Sequence, residues 1–306
     1  MEEFNRLYDA VLSTCSEPMC SMMRHLSATK GKQLRPMLVL LSAQLMGQVV
    51  PSSYRAAVFV ELLHGASLLH DDVIDESDLR HGRASMNHLW GNRSAIIAGD
   101  YLLARAVSLL TIHHDEYILT HAIGSASDMC EGELMQTTKT ASLNLSEPEY
   151  FGIIARKTAS LMATCCTLGA LSVKASSSDV ERMKEYGKNL GMVFQMRDDI
   201  LDFTASPEIG KPVGNDIKEH KLTLPLIHCL EQLSETERNK MLNDIRADLH
   251  TYEIIEKVLG SGGVAYTQQR MEDYGKLALK QLEGLTPCDA LTSLKDLVAF
   301  CSMRSW

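Results

Sequence analysis

The chain carries one five-residue acidic pattern twice. The copies are Asp71-Asp72-Val73-Ile74-Asp75 and Asp198-Asp199-Ile200-Leu201-Asp202. On a helix, the first and last Asp of each copy stack on one face, with the middle Asp about 100° around. Carboxylates so close together repel one another unless cations neutralise them. A Mg²⁺ ion takes carboxylate oxygens and keeps positions for substrate phosphate. We therefore predict two metal-binding walls that face each other with a diphosphate between them.

The residues before each pattern separate this interpretation from a simpler one. A single acidic pattern of this kind is more often a solvated helix surface. Both copies here are preceded by segments with apolar residues, Leu68-Leu69-His70 and Val193-Phe194-Gln195-Met196. A solvated helix would be polar on all sides, so we expect the carboxylates to lie on helices that are otherwise buried.

Cations follow both patterns and occur at two further places. They are Arg80, His81 and Arg83; Lys211, Lys218 and Lys221; Lys32 and Arg35; and Arg156 and Lys157. A cation on its own is more often a solvated surface charge. Next to two acidic patterns, these cations indicate direct ligands for a second diphosphate, with the segment from Gly31 to Arg35 as a helix entry suited to phosphate.

The elements that must position these residues are helices. Apolar residues recur at helical spacing over residues 31–47, 52–78, 94–112, 116–139, 147–174, 179–204, 222–232, 235–247, 251–260, 264–283 and 288–300. Ser146, Ser178 and Ser234 are each followed three residues later by Glu, which predicts N-caps. The main loops, 78–93 and 205–221, each follow an acidic pattern. Because no linker or repeat divides the chain, we predict one all-α domain spanning residues 1–306.

Composition excludes several classes of protein. The 306 residues are 45% hydrophobic and 23% charged, as in soluble globular proteins. A net charge of −9 argues against nucleic acid as the main partner. No run of 18 apolar residues predicts a membrane span, and the N-terminus lacks the form of a signal peptide. Most of the eight cysteines lie among apolar helical residues, so we expect reduced core thiols in a cytoplasmic protein.

Several segments, in one order, resemble the all-trans isoprenyl (polyprenyl) diphosphate synthases, over residues 25–285. They are 64–77 and 194–202, which include the two acidic patterns, together with Gly31-Lys32 to Arg35-Pro36, Gly99-Asp100 to Ala104, Lys157-Thr158-Ala159 and Lys221-Leu222 to Pro225. The resemblance implies a helical bundle around a deep central cavity, usually as a homodimer. It also implies head-to-tail condensation of isopentenyl diphosphate with an allylic diphosphate.

The resemblance also implies roles for individual residues. Asp71, Asp72, Asp75, Asp198, Asp199 and Asp202 would bind two or three Mg²⁺ ions, with Mn²⁺ as a substitute, and the third Asp of each pattern less directly. Arg80, Lys157, Thr158, Gln195, Lys211 and Lys221 would hold the allylic diphosphate, and Asp216 would order the loop before Lys221. Lys32, Arg35, His64 and His81 would hold isopentenyl diphosphate. The chemistry itself would rest on Asp71, Asp72, Asp198 and Lys157.

His81 departs from the pattern of the family, which commonly has two arginines after the first aspartates. Because histidine is neutral for much of the time near pH 7, His81 would weaken the isopentenyl diphosphate site, with Arg83 as the alternative cation.

The length of the product depends on what lies beneath the first pattern. Ser67 lies one helical turn before Asp71, Ala66 is adjacent to it, and Leu63 lies two turns before Asp71. Family members that make the C15 product tend to have bulky aromatic residues at the places of Ala66 or Ser67. The small residues here favour a C20 or longer product, octaprenyl-like, unless they only permit close helix packing. Leu134 and Met135 are weaker candidates for the floor of the cavity.

Other functions fit the sequence less well. A geranylgeranyl or farnesyl diphosphate synthase is the nearest alternative. A class I terpene cyclase usually has one such acidic pattern and lacks a second diphosphate site. Head-to-head squalene or phytoene synthases have differently spaced acidic residues, and non-catalytic subunits lose one pattern. A catalytic subunit of a heteromeric synthase stays open, whereas an EF-hand is not supported. The product, a lipid, would pass to a membrane.

Overall fold

The structure, a computed structural model, describes residues 1–13, 15–28, 31–80, 82–204 and 213–304. His81 and Lys211, two of the predicted ligands, lie outside the described residues. The all-α class is confirmed. The helices are α1 Glu2–Ser13, α2 Met19–Ala28, α3 Leu34–Met46, α4 Pro51–Ile74, α5 Met86–Trp90, α6 Asn92–Ile112, α7 Glu116–Ser142, α8 Glu147–Ile154, α9 Ser160–Ser172, α10 Ser177–Thr204, α11 Asn215–Lys218, α12 Leu224–Glu231, α13 Glu235–Arg246, α14 Thr251–Gly260, α15 Gly263–Gln281 and α16 Asp289–Met303.

Three short elements interrupt this helical order. A two-stranded antiparallel hairpin, β1 Leu79–Arg80 and β2 Arg83–Ala84, is the next element after α4. A single π-helical turn, Ala155–Ala159, joins α8 to α9. The sequence patterns predict neither the hairpin nor the π-turn. Strands of two residues are too short to show alternation, and a π-turn differs from an α-turn by one residue.

Local capping explains where several helices begin. Ser146 and Ser234 form the predicted capping boxes with Glu149 and Glu237. The cap predicted at Ser178 is wrong: α10 begins at Ser177, and the hydroxyl of Ser176 accepts the backbone N–H of Asp179 at 3.2 Å. The serine-rich sequence here offers several hydroxyls, and the backbone path selects among them.

Backbone contacts divide the chain into two compact units: Met1–Gly124 with Thr164–Met183, and Ser125–Ala163 with Lys184–Trp306. In the first unit, α4 packs against α1, α3, α5 and α6. Phe59 and Leu62 of α4 are fully buried. The Ser53 and Ser172 hydroxyls meet at 2.6 Å in this core. Since α4 is buried on several sides, its last turn, which carries the first acidic pattern, is held on a rigid element.

In the second unit, α15 packs against α12, α14 and α16. The hydroxyl of the fully buried Tyr186, on α10, donates to the carbonyl of Leu294 on α16 at 2.7 Å. These contacts anchor α10, whose last turns carry the second acidic pattern. The prediction of a single domain for residues 1–306 stays a prediction.

Two details differ from the expectations from composition. Cys15 and Cys20 form a disulfide between α1 and α2, so the expectation of reduced thiols does not hold for this pair. Cys165 and Cys166 keep free, buried thiols, and burial raises the pKa of both.

By length and composition alone, α6 could cross a membrane. The search of the sequence for 18 consecutive apolar residues did not detect it. A core helix passes the same test, so this is weak evidence.

Candidate active site

The first acidic pattern presents its three carboxylates differently. Asp72 is 2% exposed, whereas Asp71 is half-buried and Asp75 is exposed. Nε of Arg80 donates to Oδ1 of Asp72 at 2.9 Å, and Nη2 of the same guanidinium contacts the same oxygen. The hairpin therefore folds its arginine back onto the middle Asp, and the two carboxylates one turn apart remain the accessible ones.

Side chains from α5 fix the loop that carries Arg80. The amide nitrogen of Asn87 donates to the carbonyls of Asp72 at 3.2 Å and Ser77 at 3.1 Å. The hydroxyl of Ser85 donates to the carbonyl of Ser77 at 2.6 Å. Arg83 donates instead to the carbonyl of Ala28 at 3.0 Å. Arg80, rather than Arg83, is thus the hairpin cation that the structure brings to the first pattern.

Of the predicted isopentenyl diphosphate residues, Lys32, Arg35 and His64 lie in the first unit. Nη1 of Arg35 is 2.9 Å from Nε2 of His64, so the structure brings these two residues of α3 and α4 together. Lys32 is exposed just before α3. Gln33, which begins α3, has a φ of 54°, a left-handed conformation that turns the chain between Lys32 and Arg35.

The second pattern repeats the arrangement of the first. Asp199, its middle carboxylate, is 2% exposed and accepts the hydroxyl of Tyr150 at 2.5 Å and the amide of Gln195 at 3.0 Å. Burial raises the pKa of Asp199 to about 7. Asp198 accepts Nη2 of Arg304 at 2.7 Å. In both patterns, therefore, the middle Asp faces the interior of its unit.

The third Asp of this pattern has a structural contact. Its two oxygens, Oδ1 and Oδ2 of Asp202, accept the backbone N–H groups of Asn215 at 3.0 Å and Asp216 at 3.1 Å. Asp202 therefore holds the start of α11. Burial, followed by the charges of Asp199 and Asp202, raises the pKa of Asp216 well above its usual value.

The π-turn supplies the next functional side chains. Nζ of Lys157 lies 2.5 Å from both Oε2 of Glu133 and Oε1 of Gln136 on α7. The hydroxyl of Thr158 donates to Oε1 of Gln195 at 2.8 Å. Hydrogen bonds thus run from Thr158 through Gln195 to Asp199. Single π-turns within helices occur frequently at functional sites.

Two glycines allow neighbouring helices to approach this turn closely. A Cβ at Gly132, on α7, would lie 2.6 Å from the backbone nitrogen of Lys157. A Cβ at Gly191, on α10, would lie 2.5 Å from Cα of Ala159. Since real Cβ contacts are longer, any other residue would push α7 or α10 away and displace Lys157 and Thr158 from their partners.

Two cavities of the second unit border these residues. One, of about 200 Å³, is lined by both polar and apolar side chains. The polar ones include Lys157, Thr158, Gln195, Asp199, Asp216 and Lys221, and the apolar ones include Leu145, Ile153, Ile154 and Leu222. The other, of about 320 Å³, is lined by the carboxylates of Asp198, Asp199, Asp202 and Asp216. The first could hold an anionic head with an apolar tail, and the second could hold cations.

The donor chemistry fits a hard divalent cation. Within the described ranges, no three side chains of His, Cys, Asp or Glu converge into a closed metal-binding group. Mg²⁺ does not require such a group, because it commonly takes one or two carboxylates and completes its shell with water and substrate phosphates. Asp71 and Asp75 in the first pattern, and Asp198 in the second, suit that kind of site.

Sequence reasoning missed several residues at this site. Tyr150, Glu133, Gln136 and Arg304 all contact predicted site residues but belong to no recognised pattern. Arg304 is 106 residues from Asp198, and Tyr150 is 49 residues from Asp199, so no local spacing could reveal them. The small residue Gly132, next to Glu133 in the sequence, was the only local signal that another helix approaches closely here.

The predicted chain-length residues differ in burial. Leu63 and Ala66 are 5% and 1% exposed within the first unit, whereas Ser67 is half-buried. The hydroxyl of Ser67 donates to the carbonyl of His64, so it folds back on its own helix. Ala66 fits the alternative role of close helix packing, and Ser67 is the better candidate to face a substrate.

Comparisons with known proteins agree with this geometry. A profile of the family described as polyprenyl synthetase matches residues 16–261. The short chain isoprenyl diphosphate synthase of Methanothermobacter thermautotrophicus is 31% identical over 98% of this chain and 94% of its own. The octaprenyl diphosphate synthase of Escherichia coli is 32% identical over 83% of this chain and 80% of its own.

A solved structure is similar over the whole chain. It is a polyprenyl synthase from Caulobacter crescentus, complexed with calcium and isoprenyl diphosphate. It superposes with a TM-score of 0.93 and is 32% identical, covering 100% of this chain and 95% of its own.

Proposed function

The chain belongs to the polyprenyl synthetase family and is a prenyltransferase, and from this premise we propose its substrates, metal and product. It condenses isopentenyl diphosphate with an allylic diphosphate, head to tail, and releases an all-trans polyprenyl diphosphate of C20 or longer. The family depends on divalent metal ions, and a calcium ion accompanies isoprenyl diphosphate in the Caulobacter crescentus relative. We propose Mg²⁺ as the ion, two or three per active site.

The observation that carries this proposal is the cavity of the second unit that is lined by both lysines and apolar side chains. Lys157 and Lys221 line it, and so do Ile153 and Leu222. A prenyl diphosphate likewise combines a charged head with an apolar tail. Lysine matches phosphate oxygens, and apolar side chains keep water from the reacting carbon.

The other ligands follow from the contacts within each unit. We assign Arg80, Thr158 and Gln195 to the allylic diphosphate along with the two lysines. We assign Lys32, Arg35 and His64 to isopentenyl diphosphate. Because Arg80 is bonded to Asp72, we assign it the further role of holding that carboxylate. The proposed roles of His81 and Lys211 as diphosphate ligands rest on the resemblance alone.

The metal, when bound, stabilises the charge that develops on the departing diphosphate. The chain's own residues bind and orient the two substrates. Arg35 and His64 are the proposed residues that hold the diphosphate of isopentenyl diphosphate and so orient its double bond for attack. The released diphosphate is the proposed base for the final proton. No Ser-His-Asp arrangement is needed for this chemistry.

Product analysis tests the proposal. Purified protein is incubated with Mg²⁺, labelled isopentenyl diphosphate and, in turn, geranyl, farnesyl and geranylgeranyl diphosphate. We expect labelled polyprenyl diphosphates of C20 or longer, and no product when isopentenyl diphosphate is omitted. A hydrocarbon made from an allylic diphosphate alone would instead identify a terpene cyclase. A labelled product no longer than C15 would contradict the proposed product length of C20 or more.

Ser67→Phe is expected to shorten the product. An aromatic ring one turn before Asp71 would occupy space that a growing chain needs. The first condensation should continue, since the hydroxyl of Ser67 bonds to the backbone of its own helix. The measurement is the product distribution by mass analysis, with Ser67→Ala as the matched control. Unaltered product length in Ser67→Phe would remove this residue from the path of the chain.

We also propose that the chain forms a homodimer through α6 and α7. Ile97 and Ile112 of α6 are 54% and 70% exposed, and Ile123 in the first half of α7 is 50% exposed. Large apolar residues exposed on neighbouring segments favour an interface between protein chains. Light scattering should report about twice the mass of one chain, and Ile97→Lys should lower it. A monomeric wild type would contradict the homodimer and leave a heteromeric synthase as the alternative.

A cytoplasmic location belongs to the same proposal. The free, buried thiols of Cys165 and Cys166 support it, whereas the Cys15–Cys20 disulfide does not.

A further inference from the structure

Arg304, the residue that follows α16, makes an ion pair with the second acidic pattern. Its Nη2 lies 2.7 Å from Oδ1 of Asp198, and its side chain is only 7% exposed. The side chain of Asp198 is 35% exposed. The guanidinium therefore approaches Asp198 from the protein side, while the carboxylate keeps a surface toward the acidic cavity.

Three further contacts hold Arg304 in place. Cζ of Arg304 lies 3.9 Å from the centre of the Phe194 ring, in a cation–π arrangement. Its Nη2 also donates to the carbonyl of Phe194 at 3.0 Å. Nε of Arg197 donates to the carbonyl of Arg304 at 2.7 Å. A side chain held by an ion pair, an aromatic ring and backbone bonds is a built part of this unit, not a mobile surface charge.

A buried guanidinium stays charged at any physiological pH. A divalent cation bound by Asp198 would have this positive charge on the other side of one carboxylate. Like charges at that separation repel, and the repulsion is screened little because Arg304 is buried. Arg304 thus fixes the orientation of Asp198 and also opposes the charge of a metal there.

We propose that Arg304 is a resident counter-cation of Asp198 that weakens divalent-metal binding by the second acidic pattern, so that metal and diphosphate bind together. The proposal rests on the proposed function, because it requires Asp198 to be a metal ligand. Diphosphate brings negative charge of its own and offsets the repulsion from Arg304. An enzyme with this ion pair binds little metal when no diphosphate is present.

The test is Mn²⁺ binding to the full chain, followed by electron paramagnetic resonance, without and with inorganic pyrophosphate. Arg304→Gln should tighten Mn²⁺ binding about three- to tenfold when pyrophosphate is absent. The gain from adding pyrophosphate should shrink in the same variant. Arg304→Lys keeps the charge and should bind Mn²⁺ as the wild type does. Arg304→Met, which fills the buried space, replaces Arg304→Gln if the latter does not fold.

Asp198→Asn tests the metal-binding role of Asp198 separately from the counter-cation role of Arg304. It should weaken Mn²⁺ binding, and adding Arg304→Gln to it should change nothing further, because Arg304 acts through Asp198. If Asp198→Asn weakens binding but Arg304→Gln weakens it too or leaves it unchanged, the counter-cation is overturned and the proposed function stands. Wild-type Mn²⁺ binding by Asp198→Asn would overturn the metal assignment and the counter-cation with it.

Discussion

Asp71→Asn is expected to lower kcat about 10²- to 10³-fold and to raise the Mg²⁺ concentration at half-maximal rate. The amide keeps the shape of the carboxylate but removes the charge that attracts a hard cation. Loss of one metal ligand removes several kcal/mol of transition-state stabilisation, and each 1.4 kcal/mol corresponds to about a factor of ten in rate. Asp71 is chosen because it is half-buried at the end of α4, whereas Asp72 is buried and bonds Arg80.

Two variants control this experiment. Asp296→Asn removes one negative charge from the exposed side of α16 and should leave both kinetic quantities unchanged. Asp72→Asn should differ in kind, because breaking its buried pair with Arg80 lowers the thermal stability as well as the rate. Asp71→Asn should leave the melting temperature close to that of the wild type. Full turnover by Asp71→Asn, or by the wild type after exhaustive chelation, would contradict a metal role for the first pattern.

Lys157→Ala is expected to lower kcat/KM for the allylic diphosphate about 10- to 10²-fold, with KM for isopentenyl diphosphate unchanged. Hydrogen bonds from a charged donor contribute about 1.5–3 kcal/mol, and Lys157 lines the cavity. The effect should be specific to one substrate because the ligands assigned to the other are Lys32, Arg35 and His64. Steady-state kinetics with each substrate varied in turn measure both quantities.

The contact of Lys157 with Glu133 calls for a second variant. Removing the lysine leaves the Glu133 carboxylate, 22% exposed, without this cation and able to repel a diphosphate. The double variant Lys157→Ala with Glu133→Gln should therefore recover part of the loss but not all of it. Lys188→Ala removes an exposed lysine from α10 and is the matched control for charge. Complete recovery in the double variant would show that Lys157 only neutralises Glu133, and the binding role would be wrong.

Helix positions could be predicted well from the sequence, and the reason is local. The apolar residues of α4, α6 and α10 recur at helical spacing within each segment, so the predicted and observed limits differ by a few residues. The first two helices were missed. α2 is short, so its apolar stripe is a weak signal. α1 could have been predicted, because Phe4, Tyr8, Val11 and Leu12 recur at helical spacing and acidic residues in its first turn favour a helix start.

The sequence by itself determined the chemistry available: two acidic patterns, the cations around them and their order along the chain. These are properties of residue type and local spacing, and they were enough to indicate metal, diphosphate and a helical fold. Only the tertiary structure decided which partner each carboxylate contacts. Asp72 and Asp199 turn inward to Arg80 and Tyr150, Asp202 holds α11, and Asp198 meets Arg304. These partners join side chains from different elements, and their contacts depend on how whole helices pack, which no local pattern contains.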